Sequence, residues 1–256
     1  MSSFRTVEVS DPAFDVDGLR HVTVHSRALG GRADLTLWVP DAPGPLPVVI
    51  LLHGIHGSHW VWAHKGGVHR TAARLLAEGS IPPLVLAMPS DGLWGDGSGY
   101  LDLAGRDTET WVVEEVVEAV TLAVPHAAPV AGVCLGGLSM GGYGALRLGA
   151  RHPGRFRALS AHSSLTALDQ LRGLVAVDLP DAGTLEELLK DATGLPPFRF
   201  DCGTDDGFLD ANRRLHQALQ DAGIDHVYEE FPGGHDWAYW SLHVEESLTF
   251  FASALR

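Results

Sequence analysis

Only two cysteines, Cys134 and Cys202, occur among the 256 residues of this chain. Each falls in an apolar run expected to form a buried strand, so free core thiols are expected rather than a disulfide. Neither has the histidine partner that a thiolate nucleophile needs. Basic residues are also in short supply: 18 lysines and arginines stand against 32 acidic residues, a net charge of −14. A phosphate-backbone partner needs a basic face, so this balance argues against nucleic acid and for small, neutral or weakly polar ligands. No apolar run approaches the roughly 20 residues of a membrane-spanning helix, so no membrane partner is expected. The opening Met1-Ser2-Ser3-Phe4-Arg5-Thr6 lacks the apolar core of a secretory signal, which leads to the expectation of a cytoplasmic protein. No linker-like or low-complexity stretch divides the chain, and its length suits one α/β domain over residues 1–256.

What the chain does have is Gly137-Leu138-Ser139-Met140-Gly141, set between the apolar run Val130-Ala131-Gly132-Val133-Cys134-Leu135 and a small-residue helical segment from Tyr143 to Ala150. A serine between a buried strand and a closely packed helix sits on a tight turn. Glycines two before and two after it remove Cβ atoms where strand and helix crowd, so the turn can hold the hydroxyl exposed in a strained conformation. A lone serine hydroxyl is a weak nucleophile near neutral pH, so this nucleophile elbow requires a base and an orienting acid, in the chain order serine, acid, histidine. Both follow. The strand-like Phe198-Arg199-Phe200-Asp201-Cys202 leads into Gly203-Thr204-Asp205-Asp206-Gly207, and Val227-Tyr228-Glu229-Glu230-Phe231 leads into Pro232-Gly233-Gly234-His235-Asp236. Loops at the carboxyl ends of parallel strands converge on one edge of the sheet, which would bring Ser139, His235 and one of the two aspartates together.

Three segments carry a resemblance: Gly137 to Ala145 (GLSMGGYGA), Cys202 to Leu209 (CGTDDGFL) and Pro232 to Trp240 (PGGHDWAYW). The chain resembles the esterase D branch of the α/β-hydrolases, which includes S-formylglutathione hydrolases, tributyrin-type esterases, feruloyl and acetylxylan esterases, and mycolyltransferases. The resemblance runs from about Val48 onward. It implies a single-domain α/β-hydrolase fold, a mostly parallel central sheet flanked by helices with little or no cap, and it places the acid on Asp206 rather than Asp205. Acyl transfer also needs two backbone N–H groups aimed at the developing oxyanion. One is expected from Met140, the residue after the nucleophile, at a helix N-terminus whose dipole favours negative charge. The other should come from the loop after the strand Val48 to His53, where the resemblance implies Ile55.

That loop is rich in His53, His56, His59, Trp60, Trp62, His64 and His69. Imidazole is a common zinc ligand, yet no carboxylate or cysteine joins the five histidines locally and a Gly-containing loop does not fix ligand geometry. The expectation is that His53 packs beneath the site while the others line or flank an acyl pocket, with no metal and no cofactor.

Alternating Leu19 to Ser26 and Ala33 to Val39, joined by a turn at Leu29-Gly30-Gly31-Arg32, predict antiparallel strands at the first edge of the sheet. Beyond Pro43 to Pro47 the pattern becomes βα units, with helices over Val68 to Glu78, Thr108 to Val124, Met140 to Ala150, Phe208 to Ala222 and Trp237 to Leu255. The Gly-rich loop Met88 to Tyr100 is either a solvated Ω-like loop or a pocket wall carrying Trp94 and Tyr100. Leu165 to Pro196 is a short excursion in place of a large cap, implying a shallow, open site. Trp237, Tyr239 and Trp240 are expected to pack the last helix, with Trp237 near the histidine loop.

The expectation is a serine carboxylesterase hydrolysing short-chain acyl esters through an acyl-enzyme, its partner a small-molecule ester or thioester. An S-formylglutathione-type thioesterase, an acyltransferase and a non-catalytic binding or scaffold protein are the alternatives, and homo-oligomerisation is left open. A serine nucleophile, a base and two oxyanion donors need no metal. Dialysis against a strong chelator is therefore expected to leave turnover unchanged; a stoichiometric metal whose removal abolishes hydrolysis, restored on re-addition, would make the histidines a ligand set.

Overall fold

A computed structural model describes residues 2–92, 96–103, 105–175 and 179–256. Three half-polar strands open the chain: β1 (Phe4–Val9), β2 (Leu19–Ser26) and β3 (Gly31–Trp38) pair antiparallel. The next strands are β4 (Val48–Leu52), β5 (Val85–Pro89), β6 (Val133–Leu138), β7 (Leu159–His162) and β8 (Phe198–Gly203), all wholly buried. Continuous burial without alternation is what a parallel strand covered on both faces requires. With β9 (Val227–Phe231) at the far edge, the sheet has nine strands in the order β1-β2-β3-β5-β4-β6-β7-β8-β9. It is antiparallel from β1 to the β3–β5 pair and parallel from β5 onward.

Helices cover both faces. α1 (Val61–His64), α2 (Val68–Ala77) and, at the chain's end, α8 (Trp237–Ala254) bury Trp62, Leu75, Val244, Leu248 and Phe251 against one face. The other face is covered by α3 (Thr108–Thr110), α4 (Val116–Ala123), α5 (Met140–Arg151), α6 (Leu185–Asp191) and α7 (Leu209–Asp221), through Trp111, Val120, Leu146, Leu189 and Leu215. Between α3 and α4 the helix expected over Thr108 to Val124 widens to a π-turn at Trp111–Glu115, where the Val116 N–H reaches back to the Trp111 carbonyl. The turn points Glu115 inward, where it accepts the Ser26 hydroxyl and the Ala28 N–H.

The remaining expected helices begin and end within about a residue of the observed ones, as terminal fraying allows. The strand expected from Val130 differs. Pro129–Ala131 is a 3-10 turn, Val130 is 90% exposed, and Gly132 takes φ +135°, so extension begins only at Val133 and runs on through Gly136 and Gly137. Proline's fixed φ and a glycine-only conformation break the run that composition alone makes look continuous. The first edge is likewise β1 rather than β2: its mostly exposed residues gave no clean alternation. The β2–β3 turn falls at residues 27–30, with Gly30 at φ +61°.

Beneath the carboxyl edge of the sheet, α8 is pinned by charge. Arg199 Nη1 lies 2.7 Å from Asp201, which also accepts the Tyr239 hydroxyl at 2.7 Å and pairs with His162 Nδ1; Ser247 Oγ joins through His162 Nε2. Burial alone would raise the Asp201 carboxyl. His162, the Arg199 guanidinium and the Tyr239 hydroxyl outweigh it and hold it low.

Candidate active site

β6 ends in the elbow, and the crowding is that foreseen. A Cβ on Gly137 would lie 2.2 Å from the Gly141 carbonyl oxygen, and one on Gly141 would lie 2.4 Å from that of Leu52. Ser139 between them takes φ 54°, ψ −119°, a conformation that costs a non-glycine residue about 1–3 kcal/mol. Its Oγ is 3.0 Å from His235 Nε2, and His235 Nδ1 is 2.9 Å from Asp206 Oδ2. Gly203 and Gly233 bring the acid and histidine loops together: a Cβ on Gly203 would meet the Gly233 carbonyl at 2.2 Å, and Asp205 N–H donates to that carbonyl at 2.9 Å. Directly after His235, Asp236 caps α8 by accepting the Tyr239 N–H.

Asp205 is exposed and Asp206 buried, so the acid beside the imidazole is Asp206. Burial pushes the Asp206 carboxyl upward, but hydrogen bonds with His235, the Phe208 N–H and Ser163 prevail and hold it below the ordinary carboxylate range. A depressed value means that its contribution to stability is complete above the unfolded value near 3.8 and is lost as pH falls through the folded one.

No acceptor among the described residues takes the N–H of Ile55 or Met140. The loop carrying Ile55 approaches the elbow closely enough that a Cβ on Gly54 would lie 3.3 Å from Ser139 Cβ. Residues 96–99 brace both donors: His56 N–H donates to the Asp96 carbonyl at 2.7 Å, and Gly97 packs on Met140 Sδ and Ile55 Cγ2. Trp94 lies outside the described residues. Tyr100 is not a pocket wall; it is fully buried behind the loop, its hydroxyl on the His53 carbonyl at 3.0 Å, where the side-chain-free Gly144 makes room for its ring.

The histidines do not converge. His53 lies beneath the site as expected, with Nδ1 2.7 Å from the Gly54 carbonyl and Nε2 accepting the Asp91 N–H. His56 lines the site cavity, but His59 turns to Thr36 Oγ1 at 2.8 Å, and His64 and His69 line a separate groove beside Phe14 and Val16. Their helical and loop positions point three of the four supposed pocket residues elsewhere. Burial lowers the pKa of His59 and His69, favouring their neutral forms. Among the described residues no group of three His, Cys, Asp or Glu side chains is arranged to hold a metal ion. Both cysteines are free and buried, and burial pushes the Cys134 thiol up to about 12, far from a reactive thiolate.

A family model described as "Putative esterase" matches residues 26–251. The chain belongs to this family of α/β-hydrolase esterases. An acetyl esterase from Caldicellulosiruptor saccharolyticus is 30% identical to the esterase over 229 residues, 79% of this chain and 82% of that one. A ferulic acid esterase structure is similar with a TM-score of 0.81 at 25% identity, covering 99% of this chain and 100% of the other. A substrate-bound Staphylococcus aureus fluorophosphonate-binding serine hydrolase shares the fold, with a TM-score of 0.78 at 23% identity over 91% and 97% of the two chains.

The esterase's Ser139 and His235 open into a cavity of about 370 Å³. Its walls are largely apolar: Leu165, Leu171 and Leu174 come from the short excursion, which therefore builds one wall, and Trp60, Phe208 and Trp237 come from the starts of α1, α7 and α8. Lys65 stands at the rim with Nζ 5.6 Å from the Trp237 ring centroid. Trp240 packs α8 as expected and also meets His235 edge to face, as does Phe208, each with centroids 5.0 Å apart. Lys65 and Ser163 went unremarked in the sequence, and Trp60 and Phe208 were named there without a place in the cavity wall; only the spacing of Phe208 two residues after the acid gave a usable signal. If Asp206 orients His235, Asp206→Asn should lower kcat by about three to four orders of magnitude, while Asp205→Asn should be far milder. Steady-state kinetics on both variants decides, and the reverse ranking would move the acid to Asp205.

Proposed function

We propose that this esterase, acting as one domain, hydrolyses short-chain acyl esters through an acyl-enzyme, without metal or cofactor. Ser139 attacks the ester carbonyl while His235 takes its proton. The same imidazolium then protonates the leaving alcohol, and Asp206 holds the ring's tautomer and balances its charge. Water, deprotonated by His235, releases the acid. The N–H groups of Ile55 and Met140 receive the oxyanion of each tetrahedral intermediate; one such donor is worth about 3–4 kcal/mol of transition-state stabilisation.

The observation that carries this reading is the unbroken hydrogen-bonded line from Ser139 Oγ through His235 to the Asp206 carboxylate. The acetyl esterase relative supports a small acyl group. Among the described residues lining the cavity, Lys65 is the one permanently charged side chain, so the lining offers a cation to at most one of the two carboxylates of a glutathione thioester.

A panel of p-nitrophenyl esters from acetyl to octanoyl, with S-formylglutathione and a feruloyl ester, tests the substrate class. The expected kcat/KM is highest for acetyl to butyryl and falls by octanoyl. A steady rise to octanoyl would contradict the short-chain assignment, and preference for S-formylglutathione would replace the ester by the thioester.

A further inference from the structure

Ser163 occupies the turn that follows β7, wholly buried and with a left-handed φ of +48°. A serine bears a steric cost in that conformation that a glycine would not, so its hydroxyl is the feature to explain. The turn itself is clamped on both sides: Ser163 N–H donates to the Asp201 carbonyl at 2.8 Å, and the carbonyl of His162 accepts the Ser139 N–H at 2.9 Å. Ser163 is thereby held between the elbow and the strand that delivers Asp206.

Its side chain has two dealings. Trp240 Nε1 can only donate, and it gives its proton to Ser163 Oγ at 3.2 Å. The serine's own proton is left for an acceptor, and its hydroxyl is among the groups that hold the nearby Asp206 carboxyl low. That carboxylate otherwise spends Oδ2 on His235 Nδ1 and Oδ1 on the Phe208 N–H. The indole held by Ser163 is the same ring that meets the His235 imidazole edge to face. One hydroxyl thus reaches both the acid that orients the imidazole and the aromatic ring that bounds it.

We propose that Ser163 is a positioning residue for ester hydrolysis: its hydroxyl keeps the Asp206 carboxylate aligned with His235 Nδ1 and anchors Trp240 against the imidazole. Ser163 touches neither substrate nor the reacting atoms and acts through Asp206 and Trp240. The proposal rests on Ser139, His235 and Asp206 acting as the triad. It accounts for a strained, buried serine where glycine is the easier residue, because glycine would leave the indole N–H without its acceptor and the carboxylate with one donor fewer.

The test compares Ser163→Ala, Ser163→Gly and Trp240→Phe with wild type and with Asp206→Asn. kcat and KM are measured on an acetyl ester, together with the thermal midpoint and the low-field proton resonance of His235 Nδ1–H, identified by its loss in His235→Ala. Both Ser163 variants should lower kcat about 10-fold, as expected for losing a hydrogen bond to a charged group, with KM nearly unchanged. The His235 resonance should move upfield in both. Trp240→Phe keeps a ring and removes the donor, and should lower kcat in the same direction by less; it serves if a Ser163 variant does not fold. A purely structural role predicts a different pattern, because glycine relieves the left-handed backbone. Ser163→Gly with wild-type kcat and an unmoved resonance, while Asp206→Asn is inactive, would overturn the proposal and leave the triad standing. Wild-type turnover in Asp206→Asn would instead bring down the triad reading on which the proposal rests.

Discussion

The backbone of Ser139 is held where an L-residue does not settle by preference, and the packing around it follows from keeping it there. Strand β6 must arrive and helix α5 must leave within a few ångströms, which is why Gly137 faces the Gly141 carbonyl and Gly141 faces that of Leu52 with no room for a methyl group on either. The strain is repaid by a hydroxyl that stands clear of both elements and by a helix N-terminus directly behind it. Substituting either glycine would have to move the strand or the helix, and with them the serine.

The rest of the site is brought to that serine by loops leaving neighbouring parallel strands on the same edge, as doubly covered α/β sheets arrange their ligand sites. The acid loop after β8 and the histidine loop after β9 are fixed to one another through Gly203 and Gly233 rather than through long side chains. Below them, the buried group of Arg199, Asp201, His162, Tyr239 and Ser247 ties α8 to β7 and β8. Because α8 begins two residues after His235, the same charges that dock the helix also set where the imidazole sits. Breaking a buried pair of this kind by deleting one partner costs about 3–5 kcal/mol, so this support is also a stability element.

Much of this was legible from the chain because the informative residues are constrained by sterics or chemistry. Glycines flanking Ser139, the order serine, acid, histidine, and apolar runs without alternation are physically constrained signals, and β4, β8, β9, α2, α5, α7 and α8 appear where the sequence patterns lie, while α6 inside the excursion was not foreseen. What escaped was decided by tertiary packing. Val130 is apolar yet exposed because Pro129 and Gly132 end extension around it. Residue type alone left Asp205 and Asp206 equal, and the family motif rather than the chemistry of the residues singled out Asp206, which the structure sets beside His235. Tyr100 looks like a pocket residue in its Gly-rich context, but it braces the loop from behind, its hydroxyl on the His53 carbonyl. Ser163 carries no sequence signal at all, since nothing in its neighbours announces a left-handed backbone or an indole donor.

The central claim is that an activated serine, not merely an exposed one, sits at residue 139, with His235 raising its nucleophilicity. A serine-directed organophosphonate followed by peptide mapping of the folded protein reads that property directly. The account predicts one covalent adduct, on the peptide containing Ser139, and its loss in His235→Ala. Folded protein that carries no adduct on that peptide, or carries it equally after His235→Ala, would contradict it.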